Sequence, residues 1–313
     1  MLNRRHIRIK ILQSFYAYFQ SENKDILKGE KELMHSMQRI YDLYLYLIQL
    51  FIALKRQSFI KLEESKRSRF IEKNGTDFSS NFCNNELIKS LENSKNLEKI
   101  CRNRKISWEG DLENDLAKKL FKHLVDTQTF KEILTSDKND FINQKQLLIK
   151  LFKEDICNFS LLQHFFDEKS IYWQDDLDHV ASMVIKTLKN ISSDGNVEIM
   201  QLWKDDEEEF ARNLFRKSII QKEDNDDILE KYSKNWESDR LAKMDNYLMN
   251  LAMTEANEFS SIPLKVTLNE YIEISKYYST PKSNGFINGL LDKIFNDLKK
   301  QGKIKKSGRG LIE

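Results

Sequence analysis

The sequence predicts an all-α protein, and three observations support that fold class. Only 9 Gly and 2 Pro occur among 313 residues, although these two residue types make up about 12% of a typical chain. Hydrophobic residues account for 40% of the chain and include 19 Phe, which is too much apolar material for wholesale disorder. Apolar residues also recur every three or four positions through most of the chain, as in helices that bury one face. Sandwiches and barrels, which need many turn residues, are therefore excluded.

Two amphipathic helices are predicted in the first part of the chain. The first covers residues 4 to 20, where Ile7, Ile11 and Phe15 form the packing face. The second covers residues 30 to 57 and is heavily buried, because its apolar residues keep a strict spacing of three and four. Its longest apolar run, residues 43–54, is well short of the roughly 20 residues that span a bilayer. We therefore expect a buried helix and no membrane segment.

The middle of the chain alternates polar and helical segments. Residues 61–104 are rich in Lys, Asn, Ser and Glu, which favours a polar connection with a short helix near residues 86–97. Helical spacing returns at residues 112–125, 145–155 and 171–191, and the chain breaks at the following Asp-Gly-Asn.

The last third is the most strongly patterned part. Helices are predicted over residues 206–220 and 236–258, followed by two more after Pro263. Thr267 and Glu270 fit a capping box, in which each side chain binds a backbone N–H of the other residue. Residues 279–285 form a loop and the final helix begins near residue 286. The segment 301–313 is predicted to be a flexible basic tail.

No pattern for catalysis, a cofactor or a metal is found in the sequence. Phosphate-binding glycine loops, a nucleophile elbow and a metalloprotease helix are missing, and the five histidines lie far apart. Three cysteines without paired ligand spacing suggest neither disulfides nor a zinc site. The acidic run 205–209 fits a site for a metal or a basic partner, but the preference for acids at a helix start explains it better. Because no catalytic motif is found, we expect a protein that is not an enzyme. Because the first residues do not resemble a secretory signal, we also expect a cytoplasmic protein.

A basic cluster marks the start of the chain. Arg4, Arg5, Arg8 and Lys10 precede the first acidic residue, Glu22. Arginine at a helix N-terminus is disfavoured by the helix dipole, so helix stability does not explain the cluster. Phosphate is the natural ligand, because one guanidinium can donate hydrogen bonds to two phosphate oxygens at once, in a bidentate interaction. A solvated basic end without a ligand is the alternative.

Two distant segments resemble the transcription antitermination factor NusB family. The opening Arg-Arg-His-Ile-Arg followed by Gln-Ser-Phe-Tyr at residues 13–16 is similar to the arginine-rich first helix of that family. Residues 262–276 and 283–292 resemble its carboxy-terminal signature, with Asn269, Asn288 and Asp292 in register with the apolar positions. The segment 236–255 resembles the preceding helix. The resemblance covers residues 1–20 and about 205–300, and a typical member is less than half as long as this chain.

The resemblance implies an all-α, NusB-like helical bundle with a large helical insertion. Its domain would comprise residues 1–20 and 200–300, with residues 21–199 as the insertion. The family binds boxA-type single-stranded RNA with the ribosomal protein NusE, within the RNA polymerase antitermination complex, and acts on ribosomal RNA operons without catalysis. By position, the implied RNA-binding residues are Arg4, Arg5, Arg8, Lys10, Lys282, Ser283, Phe286 and Asn288.

Other interpretations of these residues stay open at this point. Phe286 also fits a core position in the first turn of a helix, and Asn269 and Asn288 fit polar groups that support helix packing. The basic tail fits a role in solubility. A non-catalytic helical scaffold that binds only proteins is the alternative function. NusB-like domains also occur fused to RNA methyltransferases, but this chain lacks the glycine-rich nucleotide-binding domain that such an enzyme needs.

Overall fold

A computed structural model describes residues 2–22, 24–71, 80–137, 139–233 and 242–307, and within these residues the chain is helical without a strand. The all-α prediction is confirmed. The α-helices of the described residues are α1 (Arg4–Gln20), α2 (Ile26–Ile71), α3 (Glu86–Asn93), α4 (Lys95–Arg104), α5 (Asp111–Asp126), α6 (Gln128–Thr135), α7 (Phe141–Leu151), α8 (Ser160–Lys169), α9 (Leu177–Asn190), α10 (Glu207–Ile220), α11 (Lys222–Ser233), α12 (Lys243–Glu258), α13 (Leu264–Tyr278) and α14 (Ser283–Lys300). A π-helical turn, Phe152–Ile156, follows α7, and a 3₁₀ turn, Ile171–Trp173, precedes α9.

The chain divides into two compact units. The terminal unit comprises residues 1–37 and 202–313, and the middle unit comprises residues 38–201. The sequence places the corresponding boundaries at residues 20 and 200. The first unit boundary falls inside the range of α2, Ile26–Ile71.

Helix α12 lies at the centre of the terminal unit. Every residue from Tyr247 to Ala256 is buried. A helix that is buried on all sides needs neighbours on all sides, and α1, α10, α11, α13 and α14 all pack against it. Close packing also explains Gly29 at the start of α2, where a Cβ atom would lie 3.0 Å from both Phe215 and Tyr18.

Helix α2 supplies the core of the middle unit. Residues 41–48 are all buried, which confirms the predicted buried helix. Two of its buried polar groups form hydrogen bonds within the unit: the Tyr44 hydroxyl lies 2.7 Å from the Thr187 hydroxyl. Trp108 Nε1 donates to the Tyr46 carbonyl oxygen at 2.8 Å. None of the described helices is long and apolar enough to cross a membrane.

Several helix boundaries differ from the sequence-based expectations. Helix α2 continues to Ile71, so the first part of the predicted polar connection is helical, because Lys, Arg and Glu are themselves good helix formers. The short helices α6, α8 and α11 are not predicted from the sequence, since few apolar repeats fit within 8 to 12 residues. The predicted start of α12 at residue 236 lies outside the described residues, and the described part begins at Lys243.

The predicted capping box is wrong. Helix α13 begins at Leu264, three residues before Thr267, and its N-cap residue makes no side-chain hydrogen bond. Thr267 is inside the helix and fully buried, where its hydroxyl donates to Glu255 Oε1 at 2.8 Å. The Thr267 hydroxyl therefore donates to a buried carboxylate on α12 instead of accepting from a backbone N–H, as the capping box predicts.

The predictions for the last loop and the tail also need correction. Helix α14 begins at Ser283, so the first turn of this helix includes residues assigned to the loop. Within residues 301–307, Ile304 is buried in the terminal unit and only 4% exposed. The Ser307 amide donates to the Ser260 carbonyl oxygen at 3.0 Å. The sequence did not predict this packing, because the segment 301–307 offers a single apolar residue among lysines. Residues 308–313 lie outside the described part of the chain.

Candidate nucleic-acid interface

Helix α1 begins with two arginines and has no acidic residue in its first turn. Its N-cap is Asn3, whose Oδ1 accepts a hydrogen bond from the His6 amide at 2.8 Å. Positive side chains are unfavourable at this end, because the first-turn N–H groups carry the positive end of the helix dipole. Acidic residues from other helices compensate for this charge.

Arg4 lies against the start of α10. Its Nη2 atom lies 2.6 Å from Asp206 Oδ1, and 65% of the Asp206 side chain is exposed. The guanidinium carbon of Arg4 also lies 4.3 Å from the centre of the Phe210 ring, within the range of a cation–π contact. The ring is 2% exposed. Arg4 therefore has one exposed acidic partner and one fixed aromatic support.

Arg5 forms a two-bond pair with Glu270 on α13. Nε donates to Oε2 at 2.9 Å and Nη2 donates to Oε1 at 2.8 Å. The hydrogen bonds from Arg5 lower the pKa of Glu270 below its ordinary value, and burial opposes this effect. The Arg5 side chain remains 43% exposed, so part of its guanidinium faces solvent.

Arg8 is buried and paired with Glu255. The Arg8 and Glu255 side chains are 2% and 0% exposed, and two hydrogen bonds of 2.7 Å join them. Thr267 and Tyr271 also donate to the Glu255 carboxylate, at 2.8 and 3.3 Å. Burial disfavours the charge of Arg8, but the hydrogen bonds and charge of Glu255 outweigh burial and raise the Arg8 pKa.

The predicted cationic face of α1 is therefore only partly correct. Arg4 and Arg5 reach solvent, whereas Arg8 is enclosed by α12 and α13. Lys10 is also buried, with 3% exposure. The burial of Arg8 follows from the packing of α12 and α13 over its side of α1, which the sequence of α1 alone does not show. An RNA-binding role for Arg8 and Lys10 stays a prediction.

A cavity of about 470 Å³ lies beside the arginines in the terminal unit. The start of α13 and the preceding turn form the rest of its wall. Its lining residues are Asn3, Arg4, Arg5, Arg8, Ser261, Ile262, Pro263, Val266 and Glu270. Cationic groups on one side and apolar groups on the other suit a ligand that carries both a phosphate and an uncharged ring.

The second group of predicted RNA-binding residues lies at the start of α14. Lys282 and Asn288 are exposed, and Phe286 is half-buried. Ser283 is 4% exposed, and its hydroxyl donates to Asp245 Oδ2 at 2.7 Å. The Ser279 hydroxyl binds the other oxygen of Asp245. Ser283 thus fixes the loop onto α12, while Lys282 and Asn288 face solvent.

Two contacts show how the arginine group and the α14 group are arranged. Arg5 contacts Glu270, and Gln13 Nε2 donates to the Tyr278 hydroxyl at 3.1 Å. The second contact lies eight residues after the first on α1, and also eight residues after the first on α13. The two helices therefore run in the same direction. Eight residues correspond to about 12 Å of helix. The arginines and the loop before α14 therefore lie toward opposite ends of one helix pair.

Two exposed tyrosines on these helices were not assigned to RNA binding from the sequence. Tyr16 on α1 is 40% exposed and Tyr277 on α13 is 82% exposed. Tyr277 lies seven residues after Glu270, which places both on the same side of α13. In the sequence, only this seven-residue spacing from Glu270 points to Tyr277 as part of the same surface. The acidic partners Asp206 and Glu255 were also not identified, because they are distant from the arginines in sequence.

The arrangement offers charge and aromatic surface but no centre for metal chemistry. Among residues 2–22, 24–71, 80–137, 139–233 and 242–307, no group of three or more His, Cys, Asp or Glu side chains could hold a metal ion.

Comparison with known proteins finds matches to one family in the second half of the chain. Residues 171–296 match the NusB family model. The transcription antitermination protein NusB of Salinibacter ruber is 47% identical over 104 residues, which cover 33% of this chain and 65% of that protein. The NusB of Chloroherpeton thalassium is 45% identical over 97 residues, covering 31% of this chain and 46% of that protein. The NusB of Natranaerobius thermophilus is 45% identical over 75 residues, covering 24% of this chain and 54% of that protein.

The match has limits in coverage. This chain spans about half to two thirds of the length of these three relatives. A solved structure of T. maritima NusB is 26% identical and covers 49% of this chain and 90% of that chain, with a TM-score of 0.29. That score is too low to bear on the arrangement of the helices. The family match and the named relatives nevertheless agree: the chain carries a NusB-family domain and is longer than the relatives it matches.

Proposed function

We propose that this chain is a transcription antitermination factor that binds single-stranded RNA. Three relatives named transcription antitermination protein NusB support the functional class. The observation that carries the RNA-binding part is the cavity beside α1, where the guanidinium groups of Arg4 and Arg5 meet an apolar wall. Guanidinium groups recognise phosphate oxygens in pairs, and contacts to the nucleic-acid backbone supply most of the affinity in such complexes.

The surface of the proposed complex follows the α1–α13 pair. Arg4 and Arg5 bind phosphates at one end, and Lys282 and Asn288 face solvent at the other end. Phe286 at the start of α14 is half-buried, and its accessible part offers a surface for a base. Stacking of a base on an aromatic side chain contributes about 1–3 kcal/mol and tolerates any base. Sequence preference would then come from polar groups near the stacked base.

The proposal extends to the partners implied by the family resemblance. The RNA is of the boxA type, and the ribosomal protein NusE binds together with it. The complex acts with RNA polymerase on ribosomal RNA operons, in the cytoplasm, and the chain itself performs no catalysis. The resemblance in residues 262–292 supports these assignments.

A second candidate function has one observation in its favour. Arg4, Arg5 and Arg8 each have an acidic partner, so the charge of the arginine group is balanced within the terminal unit. Such a balanced surface also suits a helical scaffold that binds only proteins and has no specific affinity for RNA.

Fluorescence anisotropy with a labelled boxA-like RNA and a scrambled RNA of the same composition separates the two functions. The antitermination proposal predicts tighter binding of the boxA-like RNA and a further gain when NusE is added. Equal, weak binding of both RNAs with no effect of NusE would contradict it and favour the scaffold. NusE alone with each RNA is the control for binding by the partner.

A further inference from the structure

The arginines beside the cavity differ in how firmly their acidic partners hold them. The pairs are Arg4–Asp206, Arg5–Glu270 and Arg8–Glu255. The acidic side chains of these pairs are 65%, 21% and 0% exposed, in that order. A phosphate can therefore replace the acidic partner most easily at Arg4, because the exposed Asp206 carboxylate is hydrated once it leaves.

The bond between Arg4 and Asp206 is also the simplest of the three. Arg4 meets Asp206 through Nη2, whereas Arg5 and Arg8 each use two nitrogen atoms toward one carboxylate. An exposed ion pair of this kind contributes little to stability, because water screens both charges. Asp206 precedes α10, but its side chain makes no capping hydrogen bond there. Its carboxylate is thus free to move without removing a cap of α10.

Phe210 holds the Arg4 guanidinium in place independently of Asp206. The Arg4 guanidinium carbon lies 4.3 Å from the ring centre, and the ring packs against Phe259 with 4.8 Å between centres. Because Phe210 is buried, the ring does not follow Asp206 when the carboxylate leaves. The guanidinium therefore stays beside the cavity, ready to bind another oxyanion.

We propose that Asp206 competes with an RNA phosphate for Arg4 and so limits the affinity of the cavity for RNA. The inference rests on the proposed RNA-binding function and adds to it a residue that sets affinity. In the free protein, Asp206 neutralises Arg4. On binding, a backbone phosphate takes the place of the carboxylate and bonds to the guanidinium, which keeps its contact with Phe210.

The test compares Asp206→Asn with the wild-type chain in fluorescence anisotropy at low salt. The variant should bind RNA about two- to five-fold more tightly, because the energy of an exposed ion pair no longer has to be overcome. Since the phosphate carries no sequence information, the gain should be equal for the boxA-like and scrambled RNAs. A merely structural role of Asp206 would leave affinity unchanged or weaken it.

Two controls make the result specific. Glu209→Gln removes one negative charge from the same first turn of α10, where Glu209 contacts Asn213 and no arginine of the cavity, so it should tighten binding less. In a background of Arg4→Ala, Asp206→Asn should tighten binding no more than Glu209→Gln does in the wild-type background. An equal gain in affinity from Asp206→Asn, from Glu209→Gln and from Asp206→Asn in the Arg4→Ala background would overturn the inference. No gain from Asp206→Asn alone would also overturn it.

The outcome also separates this inference from the proposed function. Preference of the wild type for boxA-like RNA with no gain from Asp206→Asn would refute only the competition. A gain on both RNAs without any preference in the wild type would support the competition and contradict specific boxA recognition. No binding by either protein would contradict both.

Discussion

Replacing Arg8 with methionine should destabilise the terminal unit by about 3–5 kcal/mol. Arg8 and Glu255 are 2% and 0% exposed and share two hydrogen bonds of 2.7 Å. Methionine keeps much of the volume but leaves the buried Glu255 carboxylate without the guanidinium that pairs with it. Breaking a buried ion pair from one side costs about 3–5 kcal/mol, because the remaining charge is uncompensated. Thr267 and Tyr271 still donate to the carboxylate, but neither carries a positive charge.

The double variant Arg8→Met/Glu255→Gln separates the effect of charge from the effect of packing. Glutamine removes the buried negative charge and keeps an oxygen that accepts the Thr267 hydroxyl. The double variant should therefore recover about 1 kcal/mol or more relative to Arg8→Met, as a coupling energy between contacting residues. Arg56→Met is the matched control, because the Arg56 and Glu109 side chains are 55% and 68% exposed, and its cost should stay below about 1 kcal/mol.

Urea unfolding of the full chain, followed by far-UV circular dichroism, measures these differences. The reasoning would be refuted if Arg8→Met cost less than about 1 kcal/mol. It would also be refuted if adding Glu255→Gln destabilised the protein further. Either result would mean that the buried charge of Glu255 does not depend on Arg8.

Two further predictions concern stability. Burial, followed by the charges of Lys10 and Arg5, lowers the pKa of His6 to about 4 from 6.5, so the unfolded chain binds the extra proton between these pH values. The free energy of unfolding should fall by about 1–2 kcal/mol as the pH drops from 6.5 to 4, allowing for partial exposure of His6. In urea titrations, His6→Gln should remove this part of the pH dependence. An identical pH dependence in the variant would count against the prediction. Ile304→Ala should lower the free energy of unfolding by about 2–4 kcal/mol, because Ile304 is 4% exposed. The control Lys303→Ala, at an exposed position, should change it little. Equal melting temperatures for the two variants would show that the tail does not pack.

The helical architecture was largely predictable, because it depends on short-range periodicity. The predicted ends of α1 agree with the observed Arg4–Gln20, and the buried stretch of α2 was identified from its apolar spacing. Segments without that periodicity were not predictable. Helix α11, Lys222–Ser233, is mostly polar and follows α10 after one residue, so its pattern resembles a loop.

The candidate site was predictable in its residue types but not in its pairing. The sequence identifies Arg4, Arg5 and Arg8 as one cluster, yet only the fold shows which of them reach solvent. Glu255 lies 247 residues from Arg8 in sequence, and no local pattern connects them. The burial of Arg8 therefore depends on long-range packing of α12 and α13 against α1.

The central claim is that Arg4 and Arg5 bind RNA phosphates, and the salt dependence of RNA binding tests it most directly. The affinity of the wild-type chain and of Arg4→Ala/Arg5→Ala for a boxA-like RNA is measured over a salt series, with Lys118→Ala/Lys119→Ala as a control that removes two exposed cations of the middle unit. Each phosphate contact contributes about −0.7 to the slope of log K against log salt for single strands. The account predicts that the arginine variant binds more weakly and that its slope is shallower by about 1.4, while the lysine control matches the wild type. An unchanged affinity and slope in the arginine variant would contradict the account.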